Sequence, residues 1–247
     1  MASEALKKAM EELAASGDAP ELAELPPSKL GTRDHWDEVY EREVKMFKEI
    51  GDEGEVWFGE DSAQDMVEWA EEHFPQLDGR ILDVGTGNGQ LLFAFSSAGY
   101  TSLTGIDYSP LSIELANNIL TARTSSEDSD LASPPPRFFT ADILNVAEGK
   151  EVKGVTGERW DLVTDKGTYD AVCLSDEARN GKSLRELYVE SVAKLLPKGG
   201  NWTQAELEKA FVSESTGLVV HSNIPRASFE FGGSTGSSIT TVAFEKR

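Results

Sequence analysis

The chain has 247 residues, is 39% hydrophobic and carries 44 acidic against 23 basic side chains, a formal net charge of -21. That length and apolar content suit one α/β domain with a sizeable core. The charge argues against a nucleic-acid backbone as the main partner and permits a basic protein surface, although acidity also simply keeps a protein in solution.

One cysteine, Cys173, excludes an internal disulfide framework and a thiolate zinc cluster. His35, His73 and His221 show no ligand spacing, so no metal site is expected. No apolar leader and no run long enough to span a bilayer is present, which points to the cytoplasm or the nucleus.

Residues 1–30 are rich in Ala, Glu and Lys, then in Pro (Pro20, Pro26, Pro27). They offer few large apolar side chains to bury, so a disordered tail is predicted ahead of one domain over residues 31–247. Thr32 is a fair N-cap for a helix to about Ile50, where Gly51 can end it. Trp36, Tyr40, Val44 and Phe47 fall three or four residues apart and form one apolar stripe, explained either by core packing or by a segment that covers a ligand. Gly54-Glu-Val-Trp-Phe-Gly59 then places two aromatics in a loop, which packing alone explains less well. Ser62 is expected to cap a second helix to about Phe74, with Met66, Trp69, Ala70 and Phe74 on one face.

The stretch that organises the chain is Arg80-Ile-Leu-Asp-Val-Gly-Thr-Gly-Asn-Gly89. It reads as a buried strand, a glycine-rich turn and a helix from Gln90 to Ser97. Glycine permits positive φ and lets a ligand approach the backbone. The first N–H groups of the following helix lack partners within it and can face an anionic group. Ser102-Leu-Thr-Gly-Ile-Asp107 is a second strand ending in an acid placed to accept from ribose hydroxyls. Ser109 and Pro110 then read as the cap and first position of another helix.

Residues 124–136 form a Ser/Asp/Pro-rich insertion predicted to be flexible. Arg137-Phe-Phe-Thr-Ala141 is a third strand, followed by Asp142, which either meets a ligand at the sheet edge or merely caps a turn. Val146 to Arg159 reads as a polar loop. Trp160-Asp-Leu-Val-Thr-Asp165 is a fourth strand, placing Asp165 to Thr168 beside the crevice. A helix from about Ser183 to Leu196 follows, with Leu184, Leu187, Tyr188, Val192, Leu195 and Leu196 inward.

Thr203 and Glu206 form a capping box for a helix to about Phe211. Residues 217–224 and 238–245 are β-branched-rich strands expected to pair antiparallel. Gly232-Gly-Ser-Thr-Gly236 matches a nucleophile elbow in letters but precedes a strand rather than a helix, so hydrolysis is not expected.

The block around Asp83 resembles motif I of the seven-strand, S-adenosylmethionine-dependent methyltransferases. It carries an acid before the first glycine and lacks the dinucleotide Gly-x-Gly-x-x-Gly spacing. The resemblance sharpens over residues 31–247. Gly31-Thr-Arg-Asp-His-Trp-Asp-Glu-Val-Tyr-Glu-Arg-Glu43, Trp57-Phe-Gly-Glu60, Thr104-Gly-Ile-Asp-Tyr-Ser-Pro110, Asp165-Lys-Gly-Thr168 and Phe229-Glu-Phe-Gly-Gly233 occur in that order around motif I. Together they are similar to the protein-lysine methyltransferases that act on translation elongation factor 1-alpha.

The resemblance implies a Rossmann-like seven-strand sheet with helices on both faces, S-adenosyl-L-methionine as cofactor, and a lysine of elongation factor 1-alpha as acceptor. No metal, nucleic acid or membrane contact is expected, and the chain is expected to be a monomer. The candidate cofactor residues are Asp83, which the resemblance places at the methionyl end, Gly85, Thr86 and Gly87 in the turn, Asp107 at the ribose, and Tyr108 next to it. Asp142 is implied by the resemblance at the adenine amino group, and Asp165 is a candidate for the polar group near the transferring methyl. Trp57, Phe58, Tyr108 and Tyr169 are candidates for an aromatic acceptor channel, and no single catalytic base is singled out.

One departure stands out. The family has a fifth strand after the Pro-Lys-Gly-Gly turn, but here Gly200 runs straight into Asn201-Trp-Thr203. Those few residues cannot supply a strand of about five or six, so a central strand is expected to be missing. That keeps two alternatives open: a small-molecule methyltransferase on the same fold, and an inactive variant acting as a binding module.

Overall fold

A computed structural model of the chain describes residues 26–127 and 129–195 in full, and the backbone of 218–224, 229–231, 234–236 and 241–246. Residues 1–25, most of the expected tail, lie outside them. So do the stretch after Leu195 that holds Leu196, the departure at Gly200 and the capping box at Thr203.

The chain is anchored before the expected start of the domain. Ser28 N–H donates to the Leu174 carbonyl at 3.0 Å, and Lys29–Gly31 form a 3-10 turn. Helix α1 (Arg33–Ile50) ends on left-handed Gly51, as read from the sequence, but Thr32 does not cap it with its side chain; Thr32 Oγ1 donates backwards to the Lys29 carbonyl. Helix α2 (Glu60–His73) starts three residues earlier than expected, with Gly59 at its cap and Ser62 buried inside it.

The core is a parallel sheet. Strand β1 (Arg80–Val84) leads through the glycine turn into α3 (Gln90–Ser97), and β2 (Ser102–Asp107) into α4 (Pro110–Thr124). Pro110 opens α4 as expected, while the Ser109 hydroxyl bonds to Asp37 instead of capping the helix. Strand β3 (Arg137–Thr140) is followed by the short α5 (Leu144–Ala147), and β4 (Leu162–Asp165) by α6 (Thr168–Cys173). The sheet order is β3-β2-β1-β4. The narrow hairpin β5 (Ala178–Arg179) and β6 (Lys182–Ser183) leads into α7 (Leu184–Leu195). Ser183 and Glu186 hydrogen-bond reciprocally at the start of α7, a capping box.

Alternation along β1 sends side chains to both faces. Ile81 packs with α1 to α4, among Tyr40, Val67, Phe93, Leu115 and Ile119. Leu82 and Val84 pack with α5 and α7, around Trp160, Leu187, Tyr188 and Val192. Two stretches read as polar or flexible contribute to these cores. Val152 and Val155 are buried in the 146–159 loop, and Leu131 packs from the insertion whose Ala132 N–H is held by Ser96.

Among the described residues β4 pairs only with β1. The final strands β7 (Leu218–Ile224) and β10 (Thr241–Lys246) pair antiparallel, as expected, and enclose β8 (Phe229–Phe231) and β9 (Ser234–Gly236). Ser234 thus lies on a strand, where a nucleophile elbow cannot form. No described helix is long and apolar enough to cross a membrane.

Candidate active site

Each of the four parallel strands delivers a carboxylate to the same edge of the sheet. Asp83 lies one residue before the end of β1, Asp107 ends β2, Asp142 follows β3, and Asp165 ends β4 in register with Val84. In an open α/β sheet this carboxyl edge is where ligands bind.

Asp107 is 8% exposed and held by two backbone donors: Gly87 N–H reaches Oδ2 at 3.1 Å and Ser109 N–H reaches Oδ1 at 2.9 Å. Burial nevertheless pushes its carboxyl up to about 6. Asp83 is 2% exposed, accepts from Thr164 Oγ1 at 2.9 Å, and is likewise pushed by burial to about 6. Asp165 accepts from the backbone of Thr168 at 2.8 Å and of Tyr169 at 3.0 Å, and from the Tyr188 hydroxyl. Burial lifts it to about 7.

Asp142 shows the turn-capping geometry: Oδ1 accepts from Leu144 N–H at 2.9 Å, and Oδ2 pairs with Arg179 at 2.7 Å. Each of its oxygens retains a further lone pair, so a ligand contact is compatible with both bonds.

The glycine turn is built into this edge from above and below. Gly85, Gly87 and Gly89 all have positive φ. A Cβ on Gly85 would stand 1.8 Å from Thr168 Oγ1, and that hydroxyl donates to the Val84 carbonyl at 2.9 Å, so the start of α6 is fastened to the turn. A Cβ on Gly87 would meet the Tyr40 hydroxyl at 2.7 Å, so α1 lies over the turn. The Thr86 hydroxyl is buried beside Asp83 and favours its ionised form.

The pre-core segment also grips the end of β2. Arg33 donates to the Tyr108 carbonyl at 3.1 Å and stands 5.1 Å over its ring, and the Ser109 hydroxyl donates to Asp37 at 2.6 Å. On the α1 stripe, Tyr40 and Val44 are core residues, and the Tyr40 hydroxyl also overlies the turn.

Of the four aromatics suggested for a channel, two share one turn. Trp57 and Phe58 lie against the Lys166-Gly167 turn. Tyr108 is at the β2 end under Arg33, and Tyr169 packs on Tyr188 at 5.5 Å between ring centres.

This donor set has a definite chemistry. Buried carboxylates held away from easy ionisation favour a ligand that brings positive charge, and the Asp107 oxygens suit hydroxyl donors beside a backbone that comes close. S-Adenosylmethionine, with its sulfonium, ammonium and ribose diol, fits these residues.

A methyltransferase-domain family model matches residues 76–223. The protein-lysine N-methyltransferase efm4 of Schizosaccharomyces pombe is 42% identical, over 91% of this chain and 97% of its own length. The EEF1A lysine methyltransferase 2 of Mus musculus is 39% identical over 90% and 85%, and the EFM4 enzyme of Saccharomyces cerevisiae 35% over 91% and 98%. The chain belongs to this methyltransferase family.

Its fold is shared with the magnesium protoporphyrin IX methyltransferase of Synechocystis at 15% identity and a TM-score of 0.50, over 84% of this chain and 97% of that one. Within this methyltransferase, several side chains at the site had no assigned role in the sequence reading. Tyr40 was visible only as a stripe residue, and Tyr188 only as an inward one. Lys166 stood in a recognised block, next to a strand-ending acid. That position was the one available signal, and its bond to the Trp57 carbonyl spans 109 positions of sequence.

Proposed function

We propose that this chain is an S-adenosylmethionine-dependent protein-lysine N-methyltransferase whose acceptor is a lysine of translation elongation factor 1-alpha. The observation that carries the reading is near-full-length identity of 35–42% to enzymes named for that activity. The four carboxylates on one sheet edge supply its physical basis.

When bound, the cofactor supplies a methyl group on a cationic sulfur. The protein's part is to hold that donor and prepare the acceptor. Asp107, fixed by Gly87 and Ser109, would take the ribose hydroxyls. Asp83, fixed by Thr164, would take the methionyl end, with the Gly85-Thr-Gly87 backbone alongside. Tyr108 and Asp142 would flank the adenosine. Sheet order then sets direction: β2 to β1 to β4 leads from the ribose towards Asp165 and the Trp57–Phe58 loop.

A lysine ammonium must lose its proton before it can attack, at a cost of about 4–5 kcal/mol at neutral pH. Desolvation against Trp57 and Phe58 lowers that cost by disfavouring the charged form. Asp165, at about 7, is matched to accept a proton near neutrality. Positioning supplies the rest.

Incubation with S-adenosylmethionine and purified elongation factor 1-alpha, followed by peptide mass spectrometry, tests the reading. A methylated lysine that is absent without the enzyme is expected. Donor binding without any modified lysine in the factor would exclude it.

A further inference from the structure

The loop from Gly51 to Gly59 joins α1 to α2 and runs along the front of the site. On the donor side several partners hold it. Glu53 pairs with Arg123 of α4 and accepts from Gln90 at 2.7 Å. Asn88, in the glycine turn, donates to the carbonyls of Glu53 and Glu55, and Glu55 N–H donates to the buried Glu43.

Towards β4 the arrangement differs. There the polar tie among the described residues is a charged side chain, with Lys166 Nζ donating to the Trp57 carbonyl at 2.8 Å. Phe58, the next residue, has φ 62, uncommon for a non-glycine residue. Its ring lies on Gly167, where a Cβ would stand 2.3 Å from the ring. Trp57 meets Trp36 edge-on at 4.8 Å.

The tether therefore fixes where both aromatics sit relative to Asp165. Burial pulls the Lys166 ammonium below the ordinary lysine range, while the Asp83 and Asp165 carboxylates draw it back up. A charge placed there at a desolvation cost is explained by the loop it holds.

We propose that Lys166 is a positioning residue for the methyl acceptor. Its side chain ties the Trp57–Phe58 loop to the end of β4 and so fixes the wall past which the acceptor lysine enters. The proposal rests on the lysine-methyltransferase reading above. The donor-side ties do not involve Lys166, so its loss should free the acceptor wall and leave the donor site intact. Lys166 also favours the ionised form of Asp83, so donor affinity is compared at about pH 8.5, where that carboxyl is ionised with or without Lys166 and removing a positive charge beside a site for a cation should not weaken donor binding.

Lys166→Met, which keeps length and removes the charge, is the test. Hydrogen exchange of the unliganded protein should show faster exchange at residues 55–59 and unchanged protection in β1 and β2. Calorimetry should show S-adenosylmethionine bound as tightly as in the wild type, within about twofold, while kcat/KM for the protein acceptor falls about tenfold or more.

Unchanged exchange at 55–59 would overturn the proposal. So would donor affinity that weakens in step with kcat/KM. Should Lys166→Met not fold, Phe58→Ala, at a side chain 39% exposed, decides instead. It should reproduce the loss in acceptor kcat/KM at constant donor affinity, and an unchanged kcat/KM would overturn the proposal. A wild-type protein that methylates no elongation factor lysine would defeat the activity reading. The exchange result, taken without ligand, reports on the tether separately.

Discussion

Asp83, Asp107 and Asp165 set the pH behaviour of the site. Burial raises each above an ordinary aspartate, to about 6, 6 and 7. The folded state therefore binds protons more readily than the unfolded one. Their contribution to stability is fully present below the unfolded value near 4 and is lost as pH rises through 6 to 7. For Asp83 the loss is about 3 kcal/mol. A cationic donor offsets it by favouring the ionised forms. The rise in melting temperature caused by S-adenosylmethionine should therefore be larger at about pH 7.5 than at about pH 5.5. Calorimetric melts at both values check this, and an equal or reversed effect would contradict it.

Tyr188→Phe removes one donor to Asp165 and should raise that carboxyl further. The acid limb of the activity profile should move to higher pH, with a stability cost of about 1–3 kcal/mol. A pH-rate series read beside a denaturant titration separates the two effects. The aspartates are legible in the sequence because each lies at or beside the end of a short apolar strand. Their partners are not: Thr164, Tyr188 and Arg179 reach them across 81, 23 and 37 positions, and no local pattern encodes such pairs.

At the scale of elements, the glycine turn and the start of α6 act as one piece. Gly85 has φ 68 and abuts Thr168, so alanine there meets both a disfavoured backbone and an occupied space. Gly85→Ala should cost about 1–3 kcal/mol from strain, with overpacking added. Urea titration measures it, and a change below about 0.5 kcal/mol would show that the turn yields.

Element boundaries with a strong period or a glycine signal were read closely. The extents of α3 and β2 match residue for residue, and α1 ends on Gly51. The expected cap side chains do other work: the Ser109 hydroxyl goes to Asp37, that of Thr32 to the Lys29 carbonyl, and Ser62 is buried within α2, which begins before it. The 146–159 stretch looked polar because Val152 and Val155, which bury against Trp160 and α7, are isolated in its sequence. A six-residue helix such as α6 carries too few turns for a periodic signal.

At the scale of the whole molecule, the parallel sheet carries a core on each face, and the methyltransferase-domain model matches residues 76–223. The described sheet ends at β4, beside Asp165. The next strand expected from the family resemblance would fall in the stretch that is short after Gly200. If β4 lacks that neighbour, a variant with a strand-forming segment inserted there should melt higher and turn over faster. Equal melting temperature and activity would show that the shortened chain needs no such strand.

The central claim is that the methyl donor lies across the glycine turn with its ribose held by Asp107. Calorimetric titration of S-adenosylmethionine into the wild type and Asp107→Asn, at about pH 7.5, tests it most directly. The account predicts saturable one-site binding to the wild type and affinity reduced by about tenfold or more in the variant, both remaining folded. Equal affinity in the two proteins, or none in the wild type, would contradict it.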